Sequence, residues 1–483
     1  MAYEPVIGLE IHVQLKTKSK LFCSSANNPD ETVPNVNICE VCTGQPGSLP
    51  SLNEEAVKKG IIVGLAIGCD IPPFCKFDRK NYFYPDLPKG FQISQFDEPI
   101  AEKGMMEVEY EGNTRTIRIT RAHLEEDAGK LIHEGMTTLV DFNRAGVPLQ
   151  EIVTEPDFRQ PGEAKIFLQN LRNLVRYLGV SDADMEKGHM RCDANISLRP
   201  SGSADLPDYK IEIKNLNSFK AVETALHYEI KRQSAALDSG EKLSGQTRGW
   251  DDMKGITIEQ RTKEQAHDYR YFPEPNLPVL HFFREEIEKV RASLPELPAQ
   301  KRLRFMEEFG LPARDVDVLI NDRSLAGYFE QVVSELAEWE GGDIKKLAKH
   351  ASNWVAGDLQ AMLKEAEISA ADCRITPENL AELIKMIDQK EVSSTAGKKI
   401  LGIMFAQGGD PSNIARDEGL GQVSDTGVIS QAVGKVIADN PNVVADYKAG
   451  KKQALGFLVG KVMAETKGQA NPQLVNQLLQ EKL

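Results

Sequence analysis

The stretch from Arg121 to Asp157, RAHLEEDAGKLIHEGMTTLVDFNRAGVPLQEIVTEPD, gathers His123, Glu125, Glu126, Asp127, His133, Asp141, Asn143, Glu151, Glu155 and Asp157 with little apolar filling. These are the oxygen and nitrogen donors that hard divalent cations take. So many carboxylates cannot be buried without cations, because an unpaired charge inside a protein is disfavoured by several kcal/mol. The run is therefore either a solvated acidic surface or the frame of a divalent metal. Gly129, Gly135, Gly146 and Pro148 punctuate it, which suits strand ends and turns better than an exposed charged helix.

Three predicted strands could aim further donors at such a metal. In the first, Ile7, Leu9, Ile11, Val13 and Leu15 alternate with Gly8, Glu10, His12 and Gln14, so Glu10 and His12 share a polar face about 7 Å apart. In MRCDANISLR, the residues Arg191, Asp193, Asn195, Ser197 and Arg199 fall opposite Met190, Cys192, Ala194, Ile196 and Leu198. In YKIEIKN, the residues Lys210, Glu212 and Lys214 fall opposite Ile211 and Ile213. Carboxylates beside Arg191 and Lys214 fit a nucleotide–metal site on the open face of an antiparallel sheet, with the cations on phosphate oxygens. A plain solvated face would alternate in the same way.

Between these strands, KFDRKNYFYPDLPKGFQISQ interleaves Arg79, Lys80 and Lys89 with Phe77, Tyr82, Phe83, Tyr84 and Phe91. That mixture suits phosphate and nucleotide contact, or else an aromatic-packed loop. The run from Met106 to Ile119 reads as a hairpin turning at Gly112-Asn113, and helices are expected over 54–68, 167–178 and 218–239. Loops from Gln246 and from Arg261, the latter including His267, add further Arg, His and Asp. No Gly-x-x-x-x-Gly-Lys-Ser/Thr occurs, so any nucleotide must be gripped by metals and side chains.

The 483 residues are 41% hydrophobic with a net charge of −14, which implies about three cored domains and disfavours nonspecific polyanion binding by the whole surface. The absence of a membrane-length apolar run and of a secretory signal gives the expectation of a cytoplasmic protein. Seven cysteines then point to reduced thiols. Cys39 and Cys42 form half of a structural zinc pattern, but only Cys23 lies nearby, and Ser24 and Ser25 stand where a fourth thiolate could have been. None of the cysteines or serines has the setting of an activated nucleophile for releasing ammonia from glutamine.

GLEIHVQL, RKNYFYPDLPKGFQISQ, HLEEDAGK, DFNRAGVPLQEIV, RCDANIS, EIKNLNSF and AHDYRYFPEP, in this order, resemble the GatB family, the B subunit of the aspartyl/glutamyl-tRNA amidotransferases, and the resemblance runs from Glu4 to the C-terminal NPQLVNQLLQEKL. It implies an α+β catalytic cradle similar to the glutamine synthetase fold over residues 1–292, a helical domain over 293–409 and a helical, tRNA-binding tail over 410–483. It also implies that ATP and Mg²⁺ serve to phosphorylate the side-chain carboxylate of glutamate or aspartate on a mischarged tRNA. Ammonia from the glutaminase subunit of a heterotrimer, completed by a small third subunit, would then displace the phosphate. By motif, Glu10, His12, Glu125 and Glu151 are expected at the metal, with Asp193 and Glu212 completing the acidic face. Glu125 and Glu151 are expected to be catalytic, and Glu125 resembles a residue proposed to guard an ammonia channel. Relatives with a structural zinc carry Cys-x-Cys before the Cys-x-x-Cys; here Ser25 breaks that pattern.

Two other classes fit the residues alone: an ATP-dependent ligase acting on a free small-molecule acid, and a noncatalytic scaffold. Pro295 and Pro298 mark the boundary near 293. From Val443 to Lys467, Lys448, Lys451, Lys452, Lys461 and Lys467 outnumber Asp446 and Glu465, which fits tRNA phosphates or a solvated lysine face.

Overall fold

A computed structural model describes residues 3–262, 268–421, 426–466 and 470–483. His267 and Lys467 lie outside the described residues. The chain divides into two compact units, Met1–Leu297 and Pro298–Leu483.

The first unit is built on one eight-stranded sheet. Its strands are β1 (Tyr3–Gln14), β2 (Ala101–Tyr110), β3 (Asn113–Glu126), β4 (Pro148–Thr154), β5 (Met190–Pro200), β6 (Ile211–Leu216), β7 (Gln246–Asp251) and β8 (Ile256–Thr262). They lie in the order β8-β7-β6-β5-β1-β4-β3-β2. Every pairing is antiparallel except β6 with β7, which run parallel. That exception follows from the helix α3 (Phe219–Asp238) between them, since a parallel neighbour needs a crossover long enough to carry the chain back. The β2–β3 hairpin turns at Glu111 and Gly112, whose φ values of 51° and 77° are those of a two-residue turn matched to strand twist.

One face of the sheet carries Ile7, Leu9, Ile11 and Val13 of β1 with Cys192, Ala194, Ile196, Ile211 and Ile213, all buried. Three helices cover it. In α1 (Glu54–Ala66), Asn53 caps the N-terminus by accepting from the Glu55 and Ala56 amides. In α2 (Pro161–Tyr177), Pro161 opens the helix and Phe167, Leu168, Leu171 and Val175 face the core. A Cβ on Gly162 would sit 2.2 Å from the Tyr110 ring, so any larger residue there would push that ring off the start of this helix. In α3, the Ser218 hydroxyl accepts from the Ala221 amide, and Val222, Ala225 and Leu226 pack inward. With three helices on one side, the polar parity of every strand turns to the other.

A short sheet of Phe272–Pro273, Asp78–Asn81 and Phe91–Ser94 stands apart from the large one and carries Arg79 and Lys80. The second unit is helical from Pro298 onward and holds two apolar cores, one drawn from Phe305 to Ala415 and one from Ile429 to Leu479. Helix Pro411–Asp417, beyond the expected boundary at 410, contributes Ala415 to the first. Among the described residues, no helix is long and apolar enough to cross a membrane.

Candidate active site

Register decides which polar residues meet. His12 of β1 stands opposite Arg191 of β5 on one side and Glu151 of β4 on the other, and Glu151 in turn stands opposite His123 of β3. Directly opposite residues project to the same face, so Arg191, His12, Glu151 and His123 form one row across four strands. Glu125, two residues beyond His123, joins from the same face of β3. His12 Nε2 is 3.3 Å from Glu125 Oε1 and 3.3 Å from Glu151 Oε2. His123 Nε2 is 3.6 Å from Glu151 Oε2 and 3.9 Å from Glu125 Oε2, and the Ser94 hydroxyl donates to Glu125 Oε2 at 3.4 Å.

The electrostatics of this knot favour a cation. Burial alone would push the His12 imidazole down, but its hydrogen bonds to Glu125 and Glu151 outweigh that and bring it up to about 10. Burial would raise the Glu151 carboxyl, yet His123, His12 and Lys80 hold it well below the usual range. Glu125 is held low against the same burial chiefly by His12. His123, wholly enclosed, is kept below its ordinary value by burial, and its Nδ1 has no hydrogen-bond partner. Two low carboxylates thus share one imidazolium. The donor atoms of His12, Glu125 and Glu151 all lie within 4.8 Å of one another, close to the span of ligands around a small divalent ion with arms of about 2.1 Å. Carboxylate oxygens with one imidazole form a hard donor set that fits Mg²⁺ or Mn²⁺ once His12 gives up its proton.

Glu10, Asp193 and Glu212 share the face but not the knot. Glu10 accepts from Asn195 Nδ2 at 2.9 Å. Lys214 Nζ lies 2.6 Å from Asp193 and 2.9 Å from Glu212, and the Thr247 hydroxyl donates to Glu212 at 2.9 Å. The cations expected at phosphate are mostly engaged internally: Arg79 holds buried Glu274 through Nε at 2.5 Å and Nη2 at 3.0 Å, Lys89 lies 2.6 Å from Glu126, and Arg191 lies 2.7 Å from Asp127. Lys80 differs, for among the described residues no carboxylate lies within ion-pair distance of it. Its ammonium rests 4.9 Å from the Tyr269 ring and 5.7 Å from the Tyr82 ring. Burial would lower it, but Glu125 and other nearby groups carry it above its ordinary value.

Much of the acidic stretch is engaged elsewhere. His133 pairs with Thr138 on an exposed hairpin, Asp157 holds Arg118, and Glu155 accepts from Thr120. His123 is the residue that motif reasoning left without a role. Its i, i+2 relation to Glu125 on a strand is the signal that assigns it to the same face. The three thiols of Cys23, Cys39 and Cys42 also converge, within 4.8 Å of one another. Cys42 is pulled down to about 4 by the hydrogen bond from Cys23, helped by the Cys39 amide and Lys20.

A family model described as the GatB/GatE catalytic domain matches residues 5–288, and one described as the GatB domain matches residues 328–483. The chain belongs to the GatB family. A curated relative from Moorella thermoacetica, named as the B subunit of aspartyl/glutamyl-tRNA(Asn/Gln) amidotransferase, shares 49% identity with it over all of both chains. The counterpart of the same name from Thermotoga maritima is 48% identical, and that from Carboxydothermus hydrogenoformans 47%, each over all of this chain and 99% of the relative. In this GatB-family chain both matched segments lie where the structure has its sheet and its helices, the first containing the whole His12 knot.

Proposed function

We propose that this chain is the amidating subunit of a tRNA-dependent amidotransferase, acting on the side-chain carboxylate of glutamate or aspartate esterified to a mischarged tRNA. The observation that carries the reading is the His12–Glu125–Glu151 knot beside Lys80, an enclosed anionic site for a divalent ion at the end of a polar sheet face. A Mg²⁺ held there by His12, Glu125 and Glu151 would supply charge neutralisation to the phosphates of ATP. The chain's own residues do the rest. Lys80 neutralises the oxygens of the transferring phosphoryl group, and Asp193, Glu212 and Lys214 bound the sheet face along which the nucleotide lies. The substrate carboxylate attacks the γ-phosphorus and ADP leaves. Ammonia then attacks the acyl carbon, the C–O bond to phosphate breaks with its electron pair going to the phosphate, and the proton lost from nitrogen leaves on that phosphate, giving the amide. Burial around Glu125 and His123 keeps water from competing with ammonia for the acyl phosphate.

Ammonia reaches this site from a glutaminase partner, with a small third protein completing the heterotrimer, and the helical tail holds the tRNA body. The three converging thiols form a second metal position, suited to zinc and separate from the chemistry. The test is amidation of Glu-tRNA(Gln) and Asp-tRNA(Asn) by the reconstituted heterotrimer. ATP-dependent amide formation on at least one is expected; ADP release without dependence on mischarged tRNA would point instead to a ligase for a free acid.

A further inference from the structure

We infer that the Cys23–Cys39–Cys42 group is a three-thiolate zinc centre whose fourth corner is the Ser25 hydroxyl and whose counter-charge is the buried ammonium of Lys20. The inference rests on the zinc reading given above and assigns two residues that thiol spacing does not reach.

The first observation is distance. Zinc with sulfur arms of about 2.3 Å places tetrahedral sulfur corners about 3.8 Å apart, and an oxygen corner about 3.6 Å from a sulfur one. Cys39 Sγ and Cys42 Sγ are 3.9 Å apart, and Ser25 Oγ is 3.9 Å from Cys42 Sγ. A disulfide would need sulfurs at about 2.05 Å, so the thiols are free, and their spacing matches that of ligands around an ion. The Cys39 amide donates to Cys42 Sγ at 3.2 Å, and the turn that follows closes through Thr43 and Gly44 onto the carbonyls of Cys39 and Val41. An amide aimed at sulfur is an outer partner of the kind that steadies a ligating thiolate.

The second observation is charge. The Lys20 side chain is wholly buried. Its ammonium has the Phe142 carbonyl at 3.2 Å and Cys42 Sγ at 3.6 Å, and among the described residues no carboxylate lies within ion-pair distance. A buried ammonium without an anion is strongly disfavoured. Three thiolates and a neutral hydroxyl on Zn²⁺ leave one negative charge, which Lys20 cancels. Four thiolates would leave two, and one lysine would not. The hydroxyl at Ser25 and the lysine at 20 therefore belong together as a neutral set.

The centre also has a mechanical place. Lys20 donates its amide to the Ser25 carbonyl, Leu21 donates to Gly146, and Gly146 donates to Asp127, so the thiol loop is tied to the end of β3 that carries Glu125.

The test uses the purified full chain. Metal analysis should find one zinc per chain, and Co²⁺ exchanged for it should give the absorption of a tetrahedral thiolate site. Ser25→Cys should raise the thiolate-to-cobalt absorbance by about one third, as three sulfur ligands become four. Lys20→Met should weaken zinc in chelator competition by about tenfold or more, and by a larger factor in the Ser25→Cys background, where the uncancelled charge is greater. Should Lys20→Met fail to fold, as followed by circular dichroism, the Ser25→Cys spectrum decides alone. A wild-type chain that takes up neither zinc nor cobalt overturns the zinc reading itself. Zinc bound normally, with an unchanged cobalt spectrum in Ser25→Cys or unchanged affinity in Lys20→Met, overturns the roles of Ser25 and Lys20 while leaving the zinc reading in place.

Discussion

His12 and Glu151 stand opposite each other on neighbouring antiparallel strands, with Nε2 and Oε2 3.3 Å apart. The contact is a consequence of register: a one-residue slip between β1 and β4 would send one of the two to the apolar face. Together with Glu125, it places a proton where the proposed chemistry needs a metal.

Glu125→Gln and Glu151→Gln should each lower ATP-dependent amidation by about a hundredfold or more, because an amide of the same volume cannot supply the anionic oxygen that Mg²⁺ takes. Circular dichroism should show both variants folded. Amidation rates in the reconstituted heterotrimer that stay within a few fold of wild type would remove these residues from the site.

Metal binding should expel the His12 proton. With its imidazole up at about 10, nearly one proton should be released per Mn²⁺ bound at pH 7–8, and affinity should rise with pH until that value is passed. Calorimetry in buffers of different ionisation enthalpy counts those protons, and a count near zero would exclude His12 as a ligand. Stability of the metal-free chain should run the other way. A raised imidazole stabilises fully below its ordinary value of 6.5 and loses that contribution as pH climbs through about 10. The depressed Glu125 and Glu151 stabilise above the ordinary carboxylate value of 4.5 and lose it as pH falls. Thermal melts of the metal-free chain should therefore show this contribution greatest between about pH 4.5 and 6.5.

Asp127→Ala should destabilise the first unit by about 1–3 kcal/mol, since it leaves the buried Gln14 amide and the part-exposed Arg191 without their shared carboxylate. Asp127 is buried with Arg191 at 2.7 Å and Gln14 at 3.1 Å, and burial is offset by Arg191 and Arg144 in holding its carboxyl low. Denaturant unfolding measures the loss. A change below about 1 kcal/mol would mean that water reaches the pair and that Arg191 is available to phosphate.

Removing residues 422–483 should raise the KM for tRNA by about tenfold while leaving turnover within about threefold, because contacts far from the chemistry mainly hold the substrate. The cut belongs after Gly421, since Ala415 is part of the preceding apolar core. In the basic segment Asp446 is taken up by Lys451 at 2.9 Å, while Glu465 pairs with Lys435 from outside it. Filter binding at moderate salt checks the affinity directly, and an unchanged Kd would dismiss the tail as the tRNA contact.

The chain without partners should release no glutamate from glutamine, to below about one part in 10³ of the heterotrimer rate, for want of an activated nucleophile. Among the described residues no cysteine thiol is hydrogen-bonded to a histidine, and Cys192 is buried on the apolar face of β5. Glutamate release that disappears with a single cysteine or serine substitution would reveal a second active site.

Period-two alternation by itself determined the faces: Ile7 to Val13 inward, Glu10 and His12 outward, and the same division in Arg191–Asp193 and Glu212–Lys214. Parity is a local property, written by the pleat of a single strand. The caps at Ser218 and the hairpin at Gly112 are local in the same sense, and the motifs from GLEIHVQL onward determined the family. Which outward residues meet was settled only by tertiary structure, because register is a relation between strands distant in sequence. It brought His12, Glu125 and Glu151 together, added His123, and left Asp193 and Glu212 beside Lys214 and Glu10 beside Asn195 instead. Likewise the aromatic-basic run could not tell that Arg79 would be held by Glu274, nearly two hundred residues away, while Lys80 rests over two tyrosine rings with no carboxylate at ion-pair distance among the described residues. Nor could the spacing of three cysteines reveal a lysine buried against them, since burial is decided by the packing of every segment at once.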